Sequence, residues 1–349
     1  MKNITILIII LFASFPVFSQ KKNNVVQTFT NPIFPSGADP WIVQKNGYYY
    51  YTNSSGSRLF LRKAKNLGDL KTSEQKTIWT PPAGTLYSKE IWAPELHFIR
   101  GKWYMYFAAD DGFNKNHRMY VVENPSSDPM EGTWEFKGKV YDPSDKWAID
   151  GSVFEYSGKL YMIWSGWEGD VDGQQNIYIA LMKNPWTLDG ERVRISAPEY
   201  DWEKIGDLNR KEAPHVNVNE GPVTLINKKK LFLVYSASGC WTDFYCLGML
   251  TFTGKDNPLD PASWKKSPDP VFKPKPESGI YAPGHNSFFM SPDGKENWIL
   301  YHANSAPGQG CGRFRSPRAQ KFIWKKDGSP DFGEPLSTDI PLAIPSERK

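Results

Sequence analysis

The chain has 349 residues, a formal net charge of +4, 40% hydrophobic residues and 23% charged residues. These values exclude wholesale disorder, and the small net charge without a dominant Lys/Arg cluster argues against a nucleic-acid partner. Aromatic residues make up 15% of the chain, beside 28 Gly and 28 Pro. This mixture favours β-strands and turns over long helices.

The N-terminus has the pattern of a secretory signal peptide. Lys2 gives a basic start, an apolar run follows over residues 4–13, and Val17 and Ser19 precede a cleavage point before Gln20. The apolar run is too short to span a bilayer. We therefore predict a signal peptide over residues 1–19 and a secreted, periplasmic or extracellular protein with no lipid-anchor cysteine. We expect no membrane association after cleavage.

Five segments of the remaining chain share one layout. Each has a short apolar strand, a tight turn bearing Gly or Asn, and an aromatic-rich strand, which is the pattern of a β-hairpin. Further strand candidates lie between the copies, and a unit of about four strands is typical of a propeller blade. The sequence predicts an all-β, five-bladed β-propeller that occupies residues 20–349 as a single domain. The copies begin at Asp39, Ala93, Asp150, Glu220 and His285.

The aromatic second strands of these hairpins are predicted to pack between the blades rather than to bind ligand. A few aromatic residues at blade starts and rim loops are left as candidates for ligand contact, chiefly Trp41 and Trp92, with Trp167 and Trp241 as weaker candidates. Exposed aromatic faces of this kind are suited to stacking on sugar rings. The aromatic strands are Tyr48–Tyr51, Trp103–Tyr106, Tyr161–Trp164, Phe232–Tyr235 and Trp298–Tyr301.

The three cysteines are Cys240, Cys246 and Cys311. Their odd number leaves at least one unpaired within the chain. Cys240 and Cys246 flank a predicted hairpin turn and could form a disulfide, so that pairing stays open. No cysteine cluster has zinc-ligand spacing.

The starts of the five hairpins predict a functional site. The innermost strand of each propeller blade lines the central channel, so equivalent positions on different blades converge there. Four of the five first residues are ionisable, namely Asp39, Asp150, Glu220 and His285. Crowded carboxylates raise one another's pKa and are costly, which makes them a site candidate. A lone Asp-Pro or Asp-Gly is usually a turn, so the hypothesis depends on the shared register.

Several carboxylates around one cavity suit glycoside hydrolysis, which needs a general acid and a second carboxylate. The chain resembles glycoside hydrolase family 43, five-bladed propeller enzymes that act on arabinose- and xylose-containing glycans. The segments that carry the resemblance are Ala38-Asp39-Pro40, Ile91-Trp92-Ala93-Pro94-Glu95, Ile149-Asp150-Gly151-Ser152, Glu220-Gly221-Pro222, Gly284-His285-Asn286 and Arg318.

The resemblance implies an inverting, single-displacement hydrolysis. In that reaction Asp39 would be the general base that activates water. Glu220 would be the general acid that protonates the leaving oxygen. Asp150 would orient Glu220 and raise the pKa of Glu220.

The same resemblance implies a set of substrate contacts. Trp92 and Arg318 match positions that contact the terminal sugar, and Trp41 is a further stacking candidate. Ile149 stands where some xylosidases of the family carry an aromatic residue. His285 matches a histidine that faces the channel and could help to hold a structural Ca²⁺ or Na⁺. No cofactor is required by this chemistry.

The overall likeness is greatest to the exo-acting α-L-arabinofuranosidases. The implied function is release of terminal α-L-arabinofuranosyl residues from plant arabinan, arabinoxylan or arabinogalactan-type glycans. A β-xylosidase or an endo-arabinanase using the same site stays an alternative, and a non-catalytic glycan-binding propeller is less favoured. A plant cell-wall polysaccharide or oligosaccharide is the expected partner, and a monomer is expected.

Overall fold

The computed structural model describes residues 27–206 and 216–347. The signal peptide predicted over residues 1–19 lies outside this part of the chain. No helix within the described ranges is long and apolar enough to cross a membrane. Helical structure there is confined to short 3₁₀ turns, at Leu67–Thr72, Asn114–Asn116, Asp201–Glu203, Pro261–Ser263 and Pro276–Ser278.

The described residues form five antiparallel sheets of consecutive strands, which confirms the predicted all-β, five-bladed propeller. Each sheet is one blade, and its first strand is the innermost. The strands of blade 1 are Trp41–Lys45, Tyr48–Thr52, Leu59–Ala64 and Gln75–Trp79, and those of blade 2 are Lys89–Ile99, Lys102–Asp110, Arg118–Asn124 and Glu135–Val140. The strands of blade 3 are Ala148–Tyr156, Lys159–Trp167, Gln175–Asn184, Thr187–Leu188 and Val193–Ser196. The strands of blade 4 are Asn219–Asn227, Lys230–Ala237, Cys246–Phe252 and Trp264–Lys266, and those of blade 5 are Tyr281–Met290, Asn297–Asn304, Ser316–Trp324 and Pro330–Asp331.

The apolar core is divided among the interfaces between blades. Each of five buried clusters draws its residues mainly from two neighbouring blades. The cluster between blades 1 and 2 includes Tyr50, Trp103 and Phe107, and the one between blades 5 and 1 includes Tyr49 and Trp298. The aromatic second strands therefore pack blade on blade, as predicted.

The N-terminal segment closes the ring against blade 5. Strand Thr28–Phe29 pairs with Leu342–Ala343. Asn31 exchanges two hydrogen bonds of 2.9 Å with the backbone of Ala319. The Gly37 N–H donates to the Arg315 carbonyl at 2.9 Å. This closure brings the start of blade 1 beside the loop between the second and third strands of blade 5.

Candidate active site

Near the start of each innermost strand, one residue has its backbone in the left-handed conformation, with a positive φ angle. The φ angles are 57° at Asp39, 43° at Ala93, 56° at Asp150, 55° at Gly221 and 50° at His285. A positive φ is unfavourable for a residue with a Cβ atom. In blades 2 to 5 this residue lies at a register shift between the first two strands, which marks a shared bulge. Residues held in such a conformation cluster at functional sites.

The position of the bulge in blade 4 shows that Glu220 is not aligned with Asp39 and Asp150 as the sequence predicted. Glu220 pairs with Ser236 immediately before the bulge, as Trp92 and Ile149 pair with their own neighbours in blades 2 and 3. The residue equivalent to Asp39 and Asp150 is therefore Gly221, and the predicted alignment of Glu220 is wrong by one residue. Glu220 and Asp150 enter the channel from adjacent positions of the bulge.

The inner ends of the strands surround a cavity of about 1190 Å³. Six of the eight side chains predicted for the site line it, and Trp41 and Arg318 do not. The six are Asp39, Trp92, Ile149, Asp150, Glu220 and His285. The structure thus brings the three predicted catalytic carboxyl groups to one cavity.

The two exceptions contact neighbouring strands instead. Arg318 is fully buried, and its Nη2 donates to Ser305 at 2.8 Å. The Trp41 Nε1 donates to the Leu96 carbonyl at 2.8 Å, and the Trp41 ring lies 4.9 Å from the ring of His97. Neither side chain lines the cavity. Of the weaker candidates, Trp167 is buried against Trp147, whereas Trp241 lines the cavity.

Asp39 is held as a carboxylate by its neighbours. Its Oδ1 lies 2.9 Å from Arg315 Nη1 and its Oδ2 accepts from Ser54 at 2.5 Å. Its backbone N–H donates to His302, and His285 Nδ1 lies 3.4 Å from Oδ1. Burial alone would raise the pKa of Asp39, but Arg315, the two histidines and Ser54 together hold this pKa well below its usual range.

Sequence reasoning missed Arg315, which lies three residues before the predicted Arg318. Both arginines occur near one strand start in blade 5, and residue type cannot distinguish them. The bond from Gly37 to the Arg315 carbonyl shows that closure of the ring places Arg315 beside Asp39. That pairing joins residues from the two ends of the propeller.

Asp150 and Glu220 are the two cavity carboxyl groups whose pKa values are raised. Asp150 Oδ2 accepts from the Gly221 N–H at 3.0 Å, and Glu220 Oε1 accepts from the Tyr245 hydroxyl at 2.8 Å. Burial raises the pKa of Glu220 to about 7, with the Asp39 charge adding to it and Tyr245 and Arg315 opposing it. Burial and then the charge of Glu220 also raise the pKa of Asp150. Part of the Glu220 population is therefore still protonated at neutral pH, opposite an ionised Asp39, and Asp150 holds its proton to higher pH than an exposed aspartate does.

A fourth carboxyl, which sequence reasoning did not assign, lies behind Asp150. Glu95 is 3% exposed, and its Oε2 lies 2.8 Å from His97 Nε2. Burial and the charge of Asp150 raise the pKa of Glu95 well above its usual range, against a hydrogen bond from Ser152. Burial lowers the pKa of His97 to about 3. Glu95 and His97 thus form a buried hydrogen-bonded pair whose carboxyl is close enough to Asp150 to feel its charge.

The indole ring of Trp92 lines the cavity and is held in place by its neighbours. Its ring stacks on that of His117 at 4.0 Å, and its Nε1 donates to Glu90 at 3.0 Å. His117 is itself fully buried, with its Nδ1 3.0 Å from an Asp110 carboxylate oxygen. The hydrogen bond to Glu90 and the stacking on His117 together fix the orientation of the Trp92 ring at the channel.

Few protein oxygen atoms surround His285, the residue at which the sequence suggested a structural Ca²⁺ or Na⁺. Ca²⁺ takes six to eight oxygen ligands, whereas His285 faces one carboxylate oxygen, on Asp39, that already pairs with Arg315. Residues 27–206 and 216–347 hold no group of three or more His, Cys, Asp or Glu side chains suited to a metal ion.

The cysteine pairing differs from the one left open by the sequence. Cys240 and Cys311 form the disulfide, with their Cα atoms 5.2 Å apart, and Cys246 is a buried free thiol. Cys246 begins a strand of blade 4 and lies within the sheet. The disulfide instead links the rim loops of blades 4 and 5.

Comparison with known proteins assigns the family. The profile of "Glycosyl hydrolases family 43" matches residues 29–330. An "Extracellular exo-alpha-(1->5)-L-arabinofuranosidase" of Streptomyces avermitilis is 39% identical over 90% of this chain, and the chain spans 65% of the length of that protein. A protein of the same name from Streptomyces chartreusis is 40% identical over 79% of this chain and 82% of its own length.

A solved structure agrees with these relatives. The crystal structure of an α-L-arabinofuranosidase from Lactobacillus brevis has a TM-score of 0.81 and 39% identity to this chain. The alignment covers 89% of this chain and 98% of that one. The propeller, the carboxyl groups around its channel and these relatives agree with one another: the chain belongs to glycosyl hydrolase family 43.

Proposed function

We propose that the protein is an exo-acting α-L-arabinofuranosidase that releases terminal α-L-arabinofuranosyl residues from plant arabinan, arabinoxylan or arabinogalactan-type glycans. This proposal depends on one observation: the pKa values of two carboxyl groups in one cavity are shifted in opposite directions. The pKa of Asp39 is held below its usual range, and that of Glu220 is raised to about 7. Carboxyl groups whose pKa values are pushed apart serve as base and acid.

The reaction follows from these protonation states. Asp39 takes a proton from a water molecule as the water oxygen attacks the anomeric carbon. The glycosidic C–O bond breaks with its electron pair on the leaving oxygen, and Glu220 gives that oxygen a proton. Asp150 accepts the Gly221 N–H and so holds the peptide that follows Glu220, which orients the general acid. One displacement of this kind inverts the anomeric configuration.

The remaining cavity residues suit a single terminal sugar. The Trp92 ring offers an apolar face for stacking, and Ile149 and His285 line the cavity. No cofactor takes part. We further propose a monomeric protein secreted through the predicted signal peptide, a location supported by the printed names of the Streptomyces relatives.

A panel of aryl glycosides tests the proposal. The protein is expected to hydrolyse aryl α-L-arabinofuranoside much faster than aryl β-xyloside, and NMR of the first product should show the inverted anomer. Release of arabinose alone from a linear arabinan would support exo action, and oligosaccharide products would indicate an endo-arabinanase. Faster xyloside hydrolysis would overturn the substrate, and glycan binding without turnover would overturn the enzymatic function.

The contact between Arg315 and Asp39 predicts where enzymatic activity is lost as the pH falls, because it sets the pKa of Asp39. Arg315→Gln removes the charge that most lowers the pKa of Asp39. The pKa of Asp39 should then rise, so Asp39 would be protonated and inactive at higher pH. We expect the acid limb of kcat/KM on an aryl arabinofuranoside to move up by about one pH unit or more.

Arg313→Gln is the matched control for this experiment. Arg313 also lines the cavity, but its guanidinium lies over the Phe314 ring at 5.1 Å. The control removes the same charge from the same loop and should leave the acid limb in place. An equal shift in both variants would show a general charge effect instead of the specific pairing.

A further inference from the structure

The rim of the cavity carries two exposed aromatic side chains on one loop of blade 4. Trp241 and Phe244 are 45% and 52% exposed, and both line the cavity. They lie in the connection between strands Lys230–Ala237 and Cys246–Phe252. Large apolar rings exposed at a cavity mouth are unfavourably hydrated unless a ligand covers them.

Trp241 is fixed in orientation. Its Nε1 donates to the Gly206 carbonyl at 2.6 Å. A Cβ atom added at Gly239 would lie 2.3 Å from Cε2 of the Trp241 ring, so the ring rests directly on this glycine. One side of the indole is therefore covered by the chain, and the exposed part lines the cavity.

The loop itself is tied to blade 5 by two independent links. The Cys240–Cys311 disulfide joins it covalently to the rim loop of that blade. The Asp243 carboxylate accepts the Gly308 N–H at 2.8 and 3.0 Å, and the Asp243 carbonyl accepts the Ala282 N–H at 3.2 Å. Such anchoring lowers the ordering cost of a binding surface.

The same loop leads directly to the proposed general acid. Tyr245 follows Phe244 in the chain, and its hydroxyl donates to Glu220 at 2.8 Å. The general acid sits beside the leaving oxygen, so the part of the glycan beyond the scissile bond lies on the side of this loop.

We propose that Trp241, together with Phe244, forms a stacking platform for the sugar rings on the leaving-group side of the scissile bond. The ligand is the arabinosyl or xylosyl chain from which the terminal residue is removed. The apolar face of a sugar ring covers the exposed indole, and the disulfide keeps the platform in register with Glu220. This inference rests on the proposed arabinofuranosidase function and adds a second, leaving-group subsite to it.

The test compares two substrates that differ only beyond the scissile bond. A linear α-1,5-arabinotriose reaches the platform, whereas α-L-arabinofuranosyl fluoride has no leaving sugar. Trp241→Ala is expected to lower kcat/KM for the trisaccharide by at least about tenfold, the effect of uncovering roughly one ring face. It should leave kcat/KM for the fluoride within about twofold of the wild-type value. Gly239→Ala, which displaces the ring, should have the same selective effect.

Binding to an inactive protein separates affinity from turnover. In a Glu220→Gln background, Trp241→Ala is expected to weaken calorimetric binding of arabinotriose by at least about tenfold. The control is Tyr141→Ala, which removes an equally exposed aromatic ring outside the cavity and should change neither binding nor turnover.

The outcomes separate this inference from the proposed function. An equal fall on both substrates, or no fall on either, overturns the platform while the wild-type activity supports the function. A wild-type protein that hydrolyses neither arabinofuranoside overturns the proposed function, and the platform with it. The Cys240→Ser/Cys311→Ser double variant should lower the trisaccharide-to-fluoride ratio in the same direction as Trp241→Ala.

Discussion

Replacing Glu220 with glutamine is expected to lower kcat/KM for an arabino-oligosaccharide by about 10²–10⁴-fold, the usual contribution of general acid catalysis. The sugar oxygen is a poor leaving group unless it is protonated, and the side-chain amide of the variant cannot supply that proton. Fluoride leaves without protonation, so kcat/KM for α-L-arabinofuranosyl fluoride should fall by less than about tenfold. Steady-state rates on the two substrates measure this difference.

Asp39→Asn is the matched control, because it makes the same chemical change in the opposing carboxyl. The water must lose its proton to Asp39 with either substrate, so both rates should collapse. Equal losses for both substrates in Glu220→Gln would contradict a role as proton donor.

The pH profile gives a second measurement of the same group. Glu220 must be protonated to act, and its pKa is raised to about 7. Wild-type activity on the oligosaccharide is therefore expected to fall as the pH rises through about 7. Hydrolysis of the fluoride should lack this alkaline limb, and its presence there would assign the limb to another group.

Glu203→Ala is expected to lower the free energy of unfolding by about 3 kcal/mol, because it leaves the largely buried Lys266 with only the Ala197 carbonyl as a partner. Glu203 is fully buried, and Lys266 Nζ lies 2.8 and 3.0 Å from its two oxygens. Asn219 and Tyr235 also donate to this carboxylate, at 3.0 and 2.8 Å. Chemical denaturation followed by tryptophan fluorescence measures the loss.

Lys204→Ala is the control for this prediction, because Lys204 is an exposed neighbour and its loss should cost less than about 0.5 kcal/mol. Burial would raise the pKa of Glu203, but Lys266 and the backbone donors outweigh it and lower this pKa. The stabilisation is therefore present above the pKa of the unfolded chain and is lost as the pH falls through the folded-state pKa. A wild-type advantage that persisted undiminished at low pH would contradict the ion pair as its source.

The architecture of the protein could be predicted from its sequence, because the signals for it are local. A tight turn with Gly or Asn between two apolar strands specifies a hairpin wherever it occurs, and five such hairpins in one chain predict five blades. The aromatic strands predicted to pack between blades do so, as Tyr49 and Trp103 show. The residues that surround the channel, including Asp39 and Asp150, could also be identified from their place in the hairpins.

The partners and pKa values of the site's carboxyl groups, in contrast, depend on how the blades pack in three dimensions. Glu220 stands one residue away from its predicted register, because Gly221 takes the left-handed position of the bulge. Arg315 reaches Asp39 through closure of the ring, and Cys240 pairs with Cys311 across two blades. These last two contacts join residues far apart in the chain. The distances and the burial that set the pKa values of the carboxyls exist only after the blades have packed.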